Sequence, residues 1–357
     1  MLSASNRDPD TSGDDWFSVL RAADRARAHL VATRSSDRSR ALQAMAHALQ
    51  AAQDDILEAN TIDLEGCREK PLPPPLMAWL KLSPDRLKQV VTILERLSDL
   101  PDPIRQAVYA SHPVYHSQTY CQLMPLGTIA FVYETLPELA AIAAGMCLKT
   151  ANCSVLYGSR EAKYTNAALA LALAEGLRHS DLPPDCLAVL PSDRDISIRD
   201  LVTQDRYLNL IIPYGRPKLV QQVNQATTVP VLQAAMGNCY LYWSLSGDLD
   251  VVRWAVSDSH QTTPDPVNAI EKVLIHSNHN RSTLAILLGA LHNQGFEIRL
   301  DEALAQEFPE LPEFAIVAAD EWDRPYLTKT IAFKTVDSLS AAITWICLLY
   351  TSDAADE

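Results

Sequence analysis

Glycine is scarce in this chain, with 11 residues in 357, roughly 3% where about 7% is usual. Few positions can therefore take a positive φ or let backbone approach a ligand closely. Neither G-x-G-x-x-G nor G-x-x-x-x-G-K-[ST] occurs, which excludes the two standard phosphate-cradling loops. G-x-S-x-G is missing too, and with it the commonest serine-hydrolase signal. Basic residues are few: 30 Lys and Arg against 44 Asp and Glu give a net charge of −14 and a pI near 5.1. Nothing basic is clustered enough to neutralise phosphates, so nucleic acid and anionic membranes are excluded as partners. The longest uncharged apolar run, Leu139 to Leu148, is well short of the roughly 20 residues that span a bilayer. The N-terminus lacks the basic start and apolar core of a secretory signal. The seven cysteines show no CxxC spacing, which suits a reducing, cytoplasmic setting better than a disulfide framework. His276 and His279, three apart, have no neighbouring acid or cysteine, so no metal site is expected.

What is present is an ordinary globular composition, 48% hydrophobic and 21% charged, long enough for two domains. The first hundred residues read as helices over 16–30, from a cap at Ser36-Asp37 through Leu49, and over 54–64. A stiff connector follows at Pro71-Leu72-Pro73-Pro74-Pro75. Ser83-Pro84-Asp85 then opens another helix, with serine as cap and proline in the first turn. From Gln122 short apolar runs alternate with helical stretches. Strands are expected at 127–133, 153–157, 187–190, 208–212 and 229–232, with helices at 138–148, 166–177 and 218–224 between them. A second α/β stretch has strands at 239–243, 270–275 and 331–336, and helices at 248–256, 282–292 and 338–346. This alternation, with runs buried on both faces, predicts a doubly wound, mostly parallel sheet in an α/β fold. Glu271 lies in the apolar strand 270–275. It reads either as a catalytic carboxylate or, more simply, as a residue on the solvated face of the sheet.

Several segments in order resemble one family. They are Leu57-Glu58-Ala59-Asn60-Thr61-Ile62-Asp63-Leu64, Leu80-Lys81-Leu82-Ser83-Pro84-Asp85-Arg86-Leu87-Lys88 and Pro125-Leu126-Gly127-Thr128-Ile129 running into Val132-Tyr133-Glu134. Cys147-Leu148-Lys149-Thr150-Ala151-Asn152 and Ile211-Ile212-Pro213-Tyr214-Gly215 follow. Together they resemble glutamate-5-semialdehyde dehydrogenase, or γ-glutamyl phosphate reductase, a branch of the aldehyde dehydrogenase superfamily. The likeness runs from about Ala22 to Ile346. It implies an NADP-binding-type domain with a helical N-terminal part over 21–236, after a lead-in at 1–20, and a smaller, incomplete catalytic-type domain over 237–346. Residues 347–357 look like the translation of a sequencing adapter, so the natural chain is expected to continue past Ile346.

The resemblance also implies a chemistry. A cysteine thiol attacks the acyl phosphate and expels phosphate, and the thioester then takes a hydride from NADPH. That cysteine belongs in a turn which here reads Pro264-Asp265-Pro266-Val267-Asn268, so the nucleophile position falls on Val267, with Asn268 its neighbour. Cys239 is expected to be a buried core residue, and Asp265, two positions off, to point away from the hydride donor. On the cofactor side, Gly158, Ser159, Arg160 and Gly215 occupy the positions expected to meet NADP. Tyr157 replaces a basic residue there, Gly215-Arg216 replaces Gly-Gly, and Ala234-Ala235 replaces another glycine pair. Leu136-Pro137-Glu138 stands where the family has Arg-Pro-Asn, setting a carboxylate where anionic ligands would bind. The implied function is NADPH-dependent reduction of L-glutamyl 5-phosphate in proline synthesis, impaired here for want of the thiol. The alternatives are a non-catalytic paralogue serving an active subunit or glutamate kinase, with or without homo-oligomers, and a non-functional fragment. A working reductase would need a nucleophile that the sequence does not offer.

Overall fold

The computed structural model describes residues 15–105, 107–109, 120–192, 196–233, 236–262, 267–309 and 314–349. Pro264, Asp265, Pro266, Ala234 and Ala235 lie outside these residues, as do most of the lead-in and residues 350–357. The chain forms two compact units. One comprises residues 1–71, 80–213 and 222–233, and the other 72–79, 214–221 and 234–357.

Helices come first: α1 (Asp15–Ala32), α2 (Ser35–Ala51), α3 (Gln53–Gly66), α4 (Pro74–Leu80) and α5 (Pro84–Asp99). The expected proline connector is in fact partly helical, because proline is tolerated in a first turn where its missing N–H has no intrahelical partner anyway. Ser83 caps α5 as expected, its hydroxyl accepting from the Arg86 N–H at 3.2 Å. The α2 cap differs from expectation. The helix starts at Ser35 with Arg34 as cap, and Asp37 accepts from the Arg34 N–H.

An antiparallel pair, β1 (Ala107–Tyr109) and β2 (Tyr120–Gln122), precedes the first parallel sheet. That sheet is built from β3 (Thr128–Tyr133), α6 (Leu139–Lys149), β4 (Cys153–Gly158), α7 (Lys163–Arg178), β5 (Leu187–Val189), α8 (Ile198–Val202) and β6 (Leu210–Tyr214), with α9 (Pro217–Ala226) after it. Its strand order is β5-β4-β3-β6, so the direction of winding reverses between β3 and β6. In open α/β sheets such a switch point, at the carboxyl ends of the strands, is where ligands bind. The strand expected at 229–232 reduces to a single bridge between Ile211 and Val231.

The second unit carries β7 (Cys239–Trp243), α10 (Leu249–Ser259), β8 (Ile270–His276), α11 (Arg281–Asn293), β9 (Glu297–Leu300), α12 (Glu302–Glu307), β10 (Ala315–Ile316), β11 (Thr330–Val336) and α13 (Leu339–Leu348). Its five strands are parallel in the order β10-β9-β11-β8-β7. Trp243, Val273, Ile275, Leu287, Leu291, Phe296 and Phe333 form the core of one face. No helix among the described residues is long and apolar enough to cross a membrane.

Glycine scarcity leaves a mark in the backbone. The C-terminus of α6 closes in a Schellman arrangement, with Asn152 N–H on the Cys147 carbonyl and Ala151 N–H on that of Leu148. Ala151 occupies its left-handed position at φ 52°. A Cβ there costs about 1–2 kcal/mol. Replacing Ala151 with Gly returns that strain less the roughly 0.5–1 kcal/mol of the glycine's extra unfolded-state entropy, so a net stabilisation of about 0.5–1 kcal/mol is expected. A urea midpoint unchanged or lowered in the variant would refute the strain.

Candidate functional site

The turn ahead of β8 holds Val267, half-buried, and Asn268, exposed, before Ala269 enters the core. A Cβ on Gly237 would lie 2.9 Å from both the Cys239 sulfur and the Val267 carbonyl oxygen, and 3.4 Å from the Asn268 Cα. Glycine lets these two chain segments approach so closely. Cys239 is half-buried rather than fully interior. Burial pushes its thiol up, and the Glu271 charge adds to the shift against a partial opposing effect of Lys272. The balance favours the protonated thiol, the opposite of the depression that activates a nucleophilic cysteine.

Glu271 departs from expectation. It is 2% exposed rather than on a solvated face. β8 is an interior strand, and the segment after α12 folds over it. The Glu271 carboxylate accepts the backbone N–H groups of Tyr326 at 2.5 Å and Leu327 at 2.6 Å. Leu327 has φ 57°, so this two-point grip holds a strained residue in place. Lys272 Nζ lies 3.8 Å from Glu271, donates to the Arg324 carbonyl at 3.2 Å and stands 3.7 Å from the Tyr326 ring centre. Asn238 and Tyr240 both donate to the Trp322 carbonyl. Tyr326 donates to Glu321, which also pairs with Arg299 at 2.6 Å. Lys272, Arg299, Glu321 and Tyr326 were not marked out by the sequence, because they are scattered over 55 positions and share no motif. His279 contacts the Ser244 carbonyl and packs on Trp243, and no metal-ligating group of three exists among the described residues.

In the first unit Gly158, Ser159 and Arg160 follow one another at the carboxyl end of β4. A Cβ on Gly158 would meet Asn166 Nδ2 at 2.4 Å and the Tyr133 hydroxyl at 2.7 Å. This glycine is thus required by the packing of Tyr133, which donates to Asn166 Oδ1 at 3.0 Å, while Asn166 donates to Ser192 at 3.1 Å. Tyr157 donates to the Ile196 carbonyl at 2.6 Å, anchoring the segment ahead of α8. Arg160 is exposed at the start of the 3-10 turn that leads into α7. Asp63 on α3 accepts from Tyr164 N–H, Thr165 N–H and the Thr165 hydroxyl, and so caps α7 from outside. Beside α7 runs a groove of about 690 Å³, lined by Lys163, Tyr164, Ala167, Ala170 and Leu171 and, from the segment after β5, by Leu190 and Ser192. Its size and mostly apolar walls suit a small organic ligand. Gly215 is buried directly after β6 and belongs to the other compact unit.

Glu138 was expected to repel anionic ligands. In the structure it is committed to Arg86, whose Nε donates to Oε1 at 2.9 Å and whose Nη2 reaches the same oxygen. Both side chains are nearly buried, 11% and 12% exposed.

No family model matches the chain. It is 48% identical over 339 residues to γ-glutamyl phosphate reductase 2 of Synechocystis sp., a match covering 94% of this chain and 80% of that protein. The crystal structure of γ-glutamyl phosphate reductase from Thermotoga maritima superposes with a TM-score of 0.82 at 26% identity, over 94% of this chain and 80% of that one. An NAD-dependent benzaldehyde dehydrogenase from Corynebacterium glutamicum shares the fold, with a TM-score of 0.66 at 14% identity over 93% and 78% of the two chains.

The buried pair makes stability depend on pH. Burial lowers Lys272 from 10.5 to about 8. Between those values the unfolded chain binds more protons than the native one, so this group makes stability rise with pH across that window, and the contribution is lost as pH falls through 8. The rise amounts to as much as ~3 kcal/mol. Lys272→Met is expected to flatten it when urea unfolding is compared at pH 7.5 and 10. Equal slopes in the two proteins would show an unperturbed lysine.

Proposed function

The chain belongs to the γ-glutamyl phosphate reductase family, and from that membership we propose that it is a catalytically impaired copy of an NADPH-dependent reductase of L-glutamyl 5-phosphate. The proposal is supported by Val267, standing where the family resemblance puts the nucleophile, and by the nearby Cys239, whose thiol is pushed up by burial. The reaction needs a lone pair that attacks an acyl carbon, expels phosphate and later leaves. Two methyl groups supply none of this. Asn268, exposed beside Val267, keeps a polar group at the turn but has no nucleophile to assist.

Residues on α7 fit the adenosine part of NADP. The groove beside α7 would take the adenine against Ala167, Ala170 and Leu171. Lys163 at its wall and exposed Arg160 would supply positive charge for a 2′-phosphate. When bound, that cofactor supplies the hydride. Gly158 and Ser159 act through their packing around Asn166, and Gly215 keeps the turn after β6 free of a side chain. A second reading, a non-catalytic paralogue that binds nucleotide and serves an active partner subunit, is favoured by that same groove, because it outlasts the loss of the thiol.

Purified protein given L-glutamyl 5-phosphate and NADPH is expected to oxidise no cofactor above background, and Val267→Cys to raise the rate at least tenfold. Wild-type turnover that disappears in Cys239→Ser would transfer the nucleophile to Cys239. Turnover that survives the change would overturn the impaired reading altogether.

A further inference from the structure

The groove beside α7 carries two buried polar side chains among its mostly apolar walls. Lys163, Ala167, Ala170 and Ala174 recur at the spacing of one helix face, and three of the four are alanines, so the wall they form is low and flat. Leu190 and Pro191, from the segment after β5, line the same groove. Asn166 and Ser192 line it too, although they are only 3% and 6% exposed. A buried polar side chain at a cavity wall needs its hydrogen bonds accounted for one by one.

Here the direction of each bond follows from the partners. The Asn166 amide faces Tyr133 with one end and Ser192 with the other. The end near Ser192 also lies 3.4 Å from the Ser159 carbonyl, which accepts and cannot donate, so that end is the NH2 group. Oδ1 then faces Tyr133, whose hydroxyl donates to it at 3.0 Å. Burial, and after it the Glu138 charge, pushes that hydroxyl up, so it keeps the proton it donates. At the other end Nδ2 donates to Ser192 Oγ at 3.1 Å. Ser192 is thus an acceptor toward the protein, and none of the described residues takes its own proton. The space left for that proton is the groove that Ser192 lines.

We propose that Ser192 is the specificity-determining donor of this groove, with Tyr133 and Asn166 as positioning residues that set its polarity. The groove then takes a flat, apolar heteroaromatic ring that turns an acceptor atom, such as an unprotonated ring nitrogen, toward Ser192. A ring presenting an N–H at that point would set two donors against each other and leave the serine proton unpaired. This deepens the nucleotide reading of the groove and rests on it: adenine enters with a ring nitrogen, not its amino group, toward Ser192. It is independent of the residue at position 267.

Three bicyclic probes of matched shape test it on the full chain, with dissociation constants taken from ligand-observed NMR. 1-Methylbenzimidazole, in its neutral form, offers an acceptor alone, indole a donor alone, and 1-methylindole neither. Wild type is expected to bind 1-methylbenzimidazole about tenfold more tightly than the other two. Ser192→Ala should erase that preference and leave the affinity for 1-methylindole unchanged, which a general loss of structure would not do. Ser192→Thr keeps the hydroxyl and should keep the preference. Equal affinities in wild type, no binding of any probe, or a preference that survives Ser192→Ala would overturn the assignment. Competition with NADP+ separates the two readings. Displacement of 1-methylbenzimidazole by NADP+ supports both, whereas a serine-dependent preference without displacement upholds Ser192 and removes the cofactor from the groove.

Discussion

A loop taken out of water must find an acceptor for each backbone N–H it buries, and this requirement governs the polar residues of the molecule. The Glu271 grip on Tyr326 and Leu327 is the strongest case, because it satisfies two donors and holds a left-handed leucine. The same logic recurs in the first unit. Asn152 accepts from the Gly127 N–H, Asn209 from that of Thr128, and Asn60 from that of Leu82, while Asp63 takes the first turn of α7. Gly127 itself has φ 128° and would place a Cβ 2.1 Å from Asn209. The residues that make the chain resemble its family are therefore in large part the hydrogen-bonding framework of its loops.

That division lets a fold persist independently of the chemistry it carries. A framework acceptor cannot be replaced without stranding a buried donor, at a cost of about 1–3 kcal/mol each. A catalytic thiol carries no such structural duty. Val267 is half-buried in a turn, and its backbone carbonyl, not its side chain, meets the close approach at Gly237.

Much of the fold was legible because its signals are local. Ser83 and Pro84 mark the start of α5, and the apolar runs at β3, β4, β8 and β11 mark strands buried on both faces. Elements that went unread are short or carry mixed signals. β9 alternates only as Glu297-Ile298-Arg299-Leu300, α12 has six residues, and α4 hides in a run of prolines. The candidate site was less legible. That Glu271 is buried depends on a segment more than 50 residues away, and that Glu138 is neutralised depends on Arg86, 52 positions earlier. Charge sign can be read from one residue, but its compensation cannot, because pairing is a property of the fold.

The Arg86–Glu138 contact shows why that difference matters. A guanidinium 11% exposed cannot remain without a counter-charge, since desolvating an unpaired ion costs several kcal/mol. Glu138, carried on the loop after β3, supplies such a counter-charge from within the chain. The residue that looks repulsive to an incoming anion is, to the arginine, a partner supplied by the fold.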